Sequence, residues 1–195
     1  MTVSPKISLS LLIISFLAIF LQDAEAQRRP KDYEIRKVTV SFLDTPDYQY
    51  TGDQRRSEII GKWMEIETMF EALPEFTEEL TFRYYVQINK LLFVGEVTHV
   101  NIPKGRSLYS VMYISPRSMA RIMDGATVTP SSMERVSVEI SKQGQLLAFG
   151  PWRNEKAGWW STMPQKTGFL LNKSETPFAP LYWDRYEAIR SSARN

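Results

Sequence analysis

Leu80, Phe82, Tyr84, Val86 and Ile88 alternate with Thr81, Arg83, Tyr85, Gln87 and Asn89. A period of two over that length predicts a half-buried β-strand. A second apolar run, Leu91 to Val100, follows at once, and Lys104-Gly105-Arg106 then turns the chain into a third, in which Leu108, Ser110, Met112 and Ile114 oppose Tyr109, Val111 and Tyr113. Joined by short polar turns, the three runs predict an antiparallel meander at the centre of the fold. In this phase Tyr84 faces inward and needs a partner for its hydroxyl, Tyr85 faces the other way, and truncating Tyr85 costs much less than truncating Tyr84. Leu92 and Val94 fall on one face of the second run and Val97 on the other, so the pattern predicts a bulge at Gly95-Glu96.

Ahead of this core, Val38, Val40 and Phe42 alternate with Lys37, Thr39 and Ser41 in a first strand that Asp44-Thr45-Pro46-Asp47 ends. The stretch from Tyr48 to Ser57 is polar, with Thr51-Gly52-Asp53 as the tip of an exposed loop. Ser57 to Leu73 reads two ways. Ile59, Trp63, Ile66, Phe70 and Leu73 suit one face of a helix stopped by Pro74, whereas Met64, Ile66, Thr68 and Phe70 alternate with Glu65, Glu67 and Met69. The strand, Lys62 to Glu71, is favoured because the next strand starts just past Pro74, as in a hairpin, and Glu65, Glu67 and Glu71 then form its solvent face.

Downstream, Ser115 and Pro116 read as N-cap and first residue of a short helix, with Met119, Ile122 and Met123 on its apolar side and Gly125 just past its end. Two more strands follow, Arg135 to Ile140 with Val136, Val138 and Ile140 inward, and Gln145 to Phe149, joined at Lys142-Gln143-Gly144. After Pro151 the chain is rich in aromatic residues. That tail is expected to be an ordered loop held by ring contacts more than by backbone pairing. Tyr182, Tyr186 and Ile189 have helical spacing, which predicts a short final helix between Leu181 and Arg190.

The N-terminus carries an address. Lys6, the apolar run from Ile7 to Leu21 and Ala24-Glu25-Ala26 match a signal peptide cleaved before Gln27. The run is too short for an ordinary membrane span, so no span is expected after cleavage. With no Cys in a chain that carries an export signal, a bacterial envelope protein fits better than a disulfide-stapled secreted domain. The formal net charge of +2 and the scattered Lys and Arg leave no footprint for nucleic acid. Length and pattern together predict a signal peptide over 1–26, a mainly β, immunoglobulin-like antiparallel sandwich of about six to eight strands with one helix over 27–150, and an aromatic tail over 151–195 packed on the same domain.

Chemistry is sparse. There is one histidine, His99, read as a partly exposed structural residue, and no Gly-x-Ser-x-Gly elbow, so neither a cysteine nor a serine hydrolase is indicated. No His-Glu-x-x-His, Cys pair, calcium loop, Walker pattern or Gly-x-Gly-x-x-Gly is present, so no metal or cofactor is expected. The one candidate ligand platform is Trp152, Trp159 and Trp160, whose rings could stack on sugars or serve as anchors within the fold.

The export signal, the run from Pro74 to Val86, the strand around Gly95-Glu96-Val97, the turn at Lys104-Gly105, the Ser115-Pro116 helix and the closing hairpin from Val136 to Phe149 together resemble secreted immunoglobulin-like proteins encoded beside type IV pilus components in Gram-negative bacteria. The resemblance covers about Lys62 to Phe149 and implies no catalytic residues. The resulting expectation is a non-enzymatic protein, periplasmic or extracellular, that binds other envelope or surface proteins in connection with a pilus or secretion apparatus. A carbohydrate-binding module using the tail tryptophans is the alternative.

Overall fold

A computed structural model describes residues 31–48, 61–125 and 132–190. The predicted signal peptide and the predicted Thr51-Gly52-Asp53 loop lie outside them. Residues from Asp32 onward form one compact unit. It contains, among the described residues, seven strands and one α-helix: β1 (Tyr33–Leu43), β2 (Trp63–Ile88), β3 (Leu91–Ile114), α1 (Pro116–Ile122), β4 (Met133–Lys142), β5 (Gln145–Pro151), β6 (Gln165–Lys166) and β7 (Leu170–Asn172).

The predicted meander is instead a single long hairpin. β2 runs through Pro74 without turning back, so Lys62 to Glu71 is a strand but continues into the Leu80 strand rather than pairing with it. β3 likewise runs through Lys104-Gly105-Arg106. At this level the β2–β3 ladder slips twice, between Phe70 and Ala72 and between Ala72 and Phe76, where three β2 residues oppose only Lys104. Extra residues in one strand bend a ladder. Pro74 is tolerated here because β1 has already ended, with Tyr33 opposite Ala72 and the Leu73 N–H bonded to the Asp32 carbonyl, so the ladder asks for no donor at position 74.

The bend folds the hairpin onto itself. Tyr84 donates its hydroxyl to Ser110 Oγ at 2.8 Å, and Ser110 pairs with Thr68, sixteen residues before Tyr84 on the same strand. Straight strand would hold those two residues roughly 50 Å apart. Phe70 and Phe82 meet in the same way, with ring centroids at 4.8 Å. On one side of the bend β2 pairs with β1 and β3 with β7; on the other side β4 takes the place of β1, β5 follows it, and β6 joins β3. The product is a mainly β, two-layered body with the core between the layers. It agrees only loosely with an immunoglobulin-like sandwich, because β2 and β3 each serve both layers and the β3–β6 pair is parallel.

Local signals held where they were local. Ser115 Oγ accepts the Ser118 N–H, Pro116 opens α1, and Gly125 follows it at φ 82° with its N–H on the Ala120 carbonyl. Val136, Val138 and Ile140 are fully buried, and β4 turns into β5 at Gln143-Gly144. The predicted bulge at Gly95 is absent, since pairing runs in register from Arg83↔Glu96 through Tyr85↔Val94. Both faces of that strand are covered instead, Phe93 and Val97 facing the core, Leu92 and Val94 packing with Tyr85 and Trp160. Glycine stands at position 95 because β7 approaches so closely that a Cβ would lie 2.5 Å from Leu170 Cβ and 2.9 Å from Met112 Cε. Gly95→Ala is therefore expected to cost about 1–3 kcal/mol through overpacking. Urea unfolding of the variant measures it, and an unchanged midpoint would refute the close approach.

Candidate interaction surface

After β5 the tail wraps back over the body. Trp160 stacks on Tyr85, centroids 4.0 Å apart and planes 13° from parallel, while Phe169 meets Phe93. β7 then pairs with Met112 to Ile114, Asn172 and Glu175 form a capping box around a single 3-10 turn, and Phe178 stacks on Tyr113 at 4.8 Å and meets Trp63 edge-on. Buried Lys173 donates to the Ala179 carbonyl at 2.9 Å. Ring contacts thus hold the tail as expected, with backbone pairing added at β6 and β7.

The end of the tail is not the predicted helix. It is a turn followed by a strap bonded to β3, in which the Val100 N–H donates to the Ala188 carbonyl, the Arg190 N–H to the Thr98 carbonyl, and Ile189 bridges His99. Arg190 also pairs with Glu79. Under the strap His99 is buried, not partly exposed. Its Nδ1 lies 3.0 Å from the Glu187 carbonyl, which can only accept, so Nδ1 carries the proton. Nε2, 2.7 Å from Ser110 Oγ, therefore accepts from that hydroxyl, which in turn accepts from Tyr84. Burial, the largest influence, pushes the imidazole down to about 4, against the raising effect of the Glu187 and Ala188 backbone.

The acidic row on β2 is not a bare solvent face either. Glu65 accepts the Tyr113 hydroxyl at 3.0 Å. Glu67 takes a two-pronged bond from Arg185, 3.0 Å from Nε and 2.8 Å from Nη2, together with the Tyr186 hydroxyl at 2.8 Å. Glu71 is buried and pairs with the exposed Arg36. Burial raises the Glu65 carboxyl above the usual range, and burial followed by the Glu65 charge raises the Tyr186 phenol. Arg185 also lies 4.0 Å over the Tyr109 ring.

Between Phe178 on one side and Arg185-Tyr186 on the other, the chain makes a turn whose Arg185 N–H bonds back to the Tyr182 carbonyl at 3.2 Å. Tyr182 sits at φ 51°, a conformation unfavourable for a bulky side chain. Tyr182 is 63% exposed and Trp183 is 79% exposed, the highest value among the exposed large hydrophobic residues. Two adjacent aromatic rings are held in solvent on a turn fixed at both ends. The sequence signal was only the aromatic richness of the tail, with nothing to separate these two rings from the buried ones.

The tryptophans singled out as a platform lie elsewhere. Trp160 is buried; Trp152 is partly buried against the core with Arg153 3.9 Å over its ring; Trp159, also partly buried, donates Nε1 to Ser137 Oγ at 2.9 Å. Trp159 and Trp160 meet edge to face at 5.5 Å. Among the described residues no three His, Asp or Glu side chains are grouped to hold a metal, and no helix is long and apolar enough to cross a membrane.

A protein-family model matches residues 24–193. A crystal structure of a protein from Akkermansia muciniphila is similar over 85% of this chain and 96% of its own, with a TM-score of 0.71 and 24% identity, a likeness of fold. A search of curated proteins gives no match. The family match extends over nearly all of the chain, strand body and aromatic tail alike, and the chain belongs to the family that this model describes.

Proposed function

We propose that this is a non-enzymatic exported protein of the bacterial envelope that binds another envelope or surface protein, in association with a pilus or secretion apparatus, through the turn at Tyr182-Trp183. The observation that carries the reading is the exposure of these two rings on a turn whose flanks are pinned by Phe178 on Tyr113 and by Arg185 and Tyr186 on Glu67. Trp and Tyr are the residues most often found as interface anchors, and a turn already held in place loses little freedom on docking. The predicted export signal and the resemblance in layout to secreted proteins encoded beside pilus components support the setting.

The double variant Tyr182→Ser/Trp183→Ser tests it. Both side chains are exposed, so folding stability should stay within about 0.5 kcal/mol of the parent. The expected result is loss of a stoichiometric partner from envelope pull-downs; recovery of the same partner at undiminished yield would contradict the assignment.

A further inference from the structure

A cleft of about 480 Å³ lies away from that turn, lined by Glu134 and Arg135 at the start of β4, by Asn154, Glu155 and Lys156, and by Trp159. Its size suits a small ligand. The indole is fixed in plane by its bond to Ser137 and by the edge contact with Trp160, yet remains partly open to solvent. The two carboxylates are tied to the walls, Glu134 Oε1 accepting the Lys90 N–H at 2.7 Å and Glu155 Oε2 the Arg153 N–H at 2.9 Å. Among the described residues neither cation has an ion-pair partner: the Arg135 guanidinium lies 5.6 Å over the Trp159 ring, and Lys156 is exposed.

We infer that this cleft binds a carboxylate-bearing sugar, a uronate-type pyranose. The indole face suits the apolar C–H face of a sugar ring, while Arg135 offers a planar fork to a carboxylate and Lys156 a second positive charge. A neutral sugar would leave both cations unused. An acidic peptide fits less well, because the Lys90 and Arg153 N–H groups that could have paired with its main chain already bond Glu134 and Glu155. This site is independent of the protein-docking turn, and its test does not involve Tyr182 or Trp183.

Titration of the full chain with trigalacturonate, maltotriose and hexaglutamate, followed by calorimetry and tryptophan fluorescence, decides the matter. Trigalacturonate should bind with a saturating fluorescence change, at least about tenfold more tightly than either other probe, and more weakly as salt rises. Arg135→Gln should weaken it about tenfold and Lys156→Gln about threefold, with unchanged melting because both side chains are exposed. Equal binding of maltotriose, equal binding of hexaglutamate, no saturation up to about 10 mM, or an Arg135→Gln variant that binds as well as the parent would each overturn the assignment.

Discussion

Tyr84→Ala is expected to lower folding stability by about 3–5 kcal/mol, the range for deleting a buried aromatic ring, out of a total of about 5–15 for a domain of this kind. The ring has no exposed surface, and its hydroxyl begins the chain Tyr84 to Ser110 to His99 to the Glu187 carbonyl that joins both layers to the tail. Tyr84→Phe keeps the ring and should cost only about 0.5–1.5 kcal/mol for the lost bond. Tyr85 does point to the opposite face, as the alternation predicts, but Trp160 covers it and its hydroxyl donates to Glu139 at 2.7 Å. The expectation that Tyr85→Ala costs much less than Tyr84→Ala is therefore revised to a loss of about 2–4 kcal/mol, closer to that of Tyr84→Ala. Urea unfolding of the three variants gives the order, and a Tyr84→Ala variant that loses less than Tyr84→Phe would contradict the inward packing.

Acid should loosen the tail through His99. Its ordinary value is 6.5 and burial lowers it to about 4, so the fold favours the neutral ring. The resulting stability is complete above about pH 6.5, falls as pH drops towards 4, and amounts to about 3 kcal/mol over the whole window. Protonation would place a second N–H against Ser110 Oγ, a hydroxyl already accepting from Tyr84. The ring is held by the Glu187 carbonyl and Ser110 Oγ and meets the Phe82 ring edge-on at 5.2 Å, with the Tyr84 phenol one hydrogen bond away through Ser110 and no charged side chain among its contacts. Burial raises the Glu187 carboxyl, which opposes the trend by favouring protonation in the folded state as pH falls. His99→Gln should be less stable than the parent near neutral pH, and the difference should shrink as pH falls to about 4.5. Chemical denaturation at stepped pH measures this; a constant difference between parent and variant would show that His99 does not titrate in that window.

Much of this was written locally in the chain. Alternation fixed the phase of Tyr84, caps marked both ends of α1, and Gln143-Gly144 marked the β4–β5 turn. The errors arose where distant chain decides the outcome. Pro74 and Lys104-Gly105-Arg106 carry turn chemistry, but the residues opposite them allow a bend in continuous strands, so a hairpin was predicted where the chain folds over without reversing. Gly95 looked like a bulge because nothing nearby announces Leu170. His99 and Glu67 are covered by a tail that arrives about 90 to 120 residues later in sequence, beyond the reach of any periodicity argument. The final segment has helical spacing, yet the left-handed Tyr182 and the backbone bonds from Ala188 and Arg190 to β3 impose a turn and a strap. That same departure from local preference leaves Tyr182 and Trp183 outside.

Site-specific photocrosslinking in the intact envelope tests the central claim most directly. A photoreactive phenylalanine analogue is placed singly at Trp183, at Leu146 and at Phe76, all large hydrophobic residues exposed on the surface. The docking turn predicts one discrete adduct with an envelope protein from position 183 and none from 146 or 76. An adduct from Leu146 or Phe76 with none from 183 would contradict it.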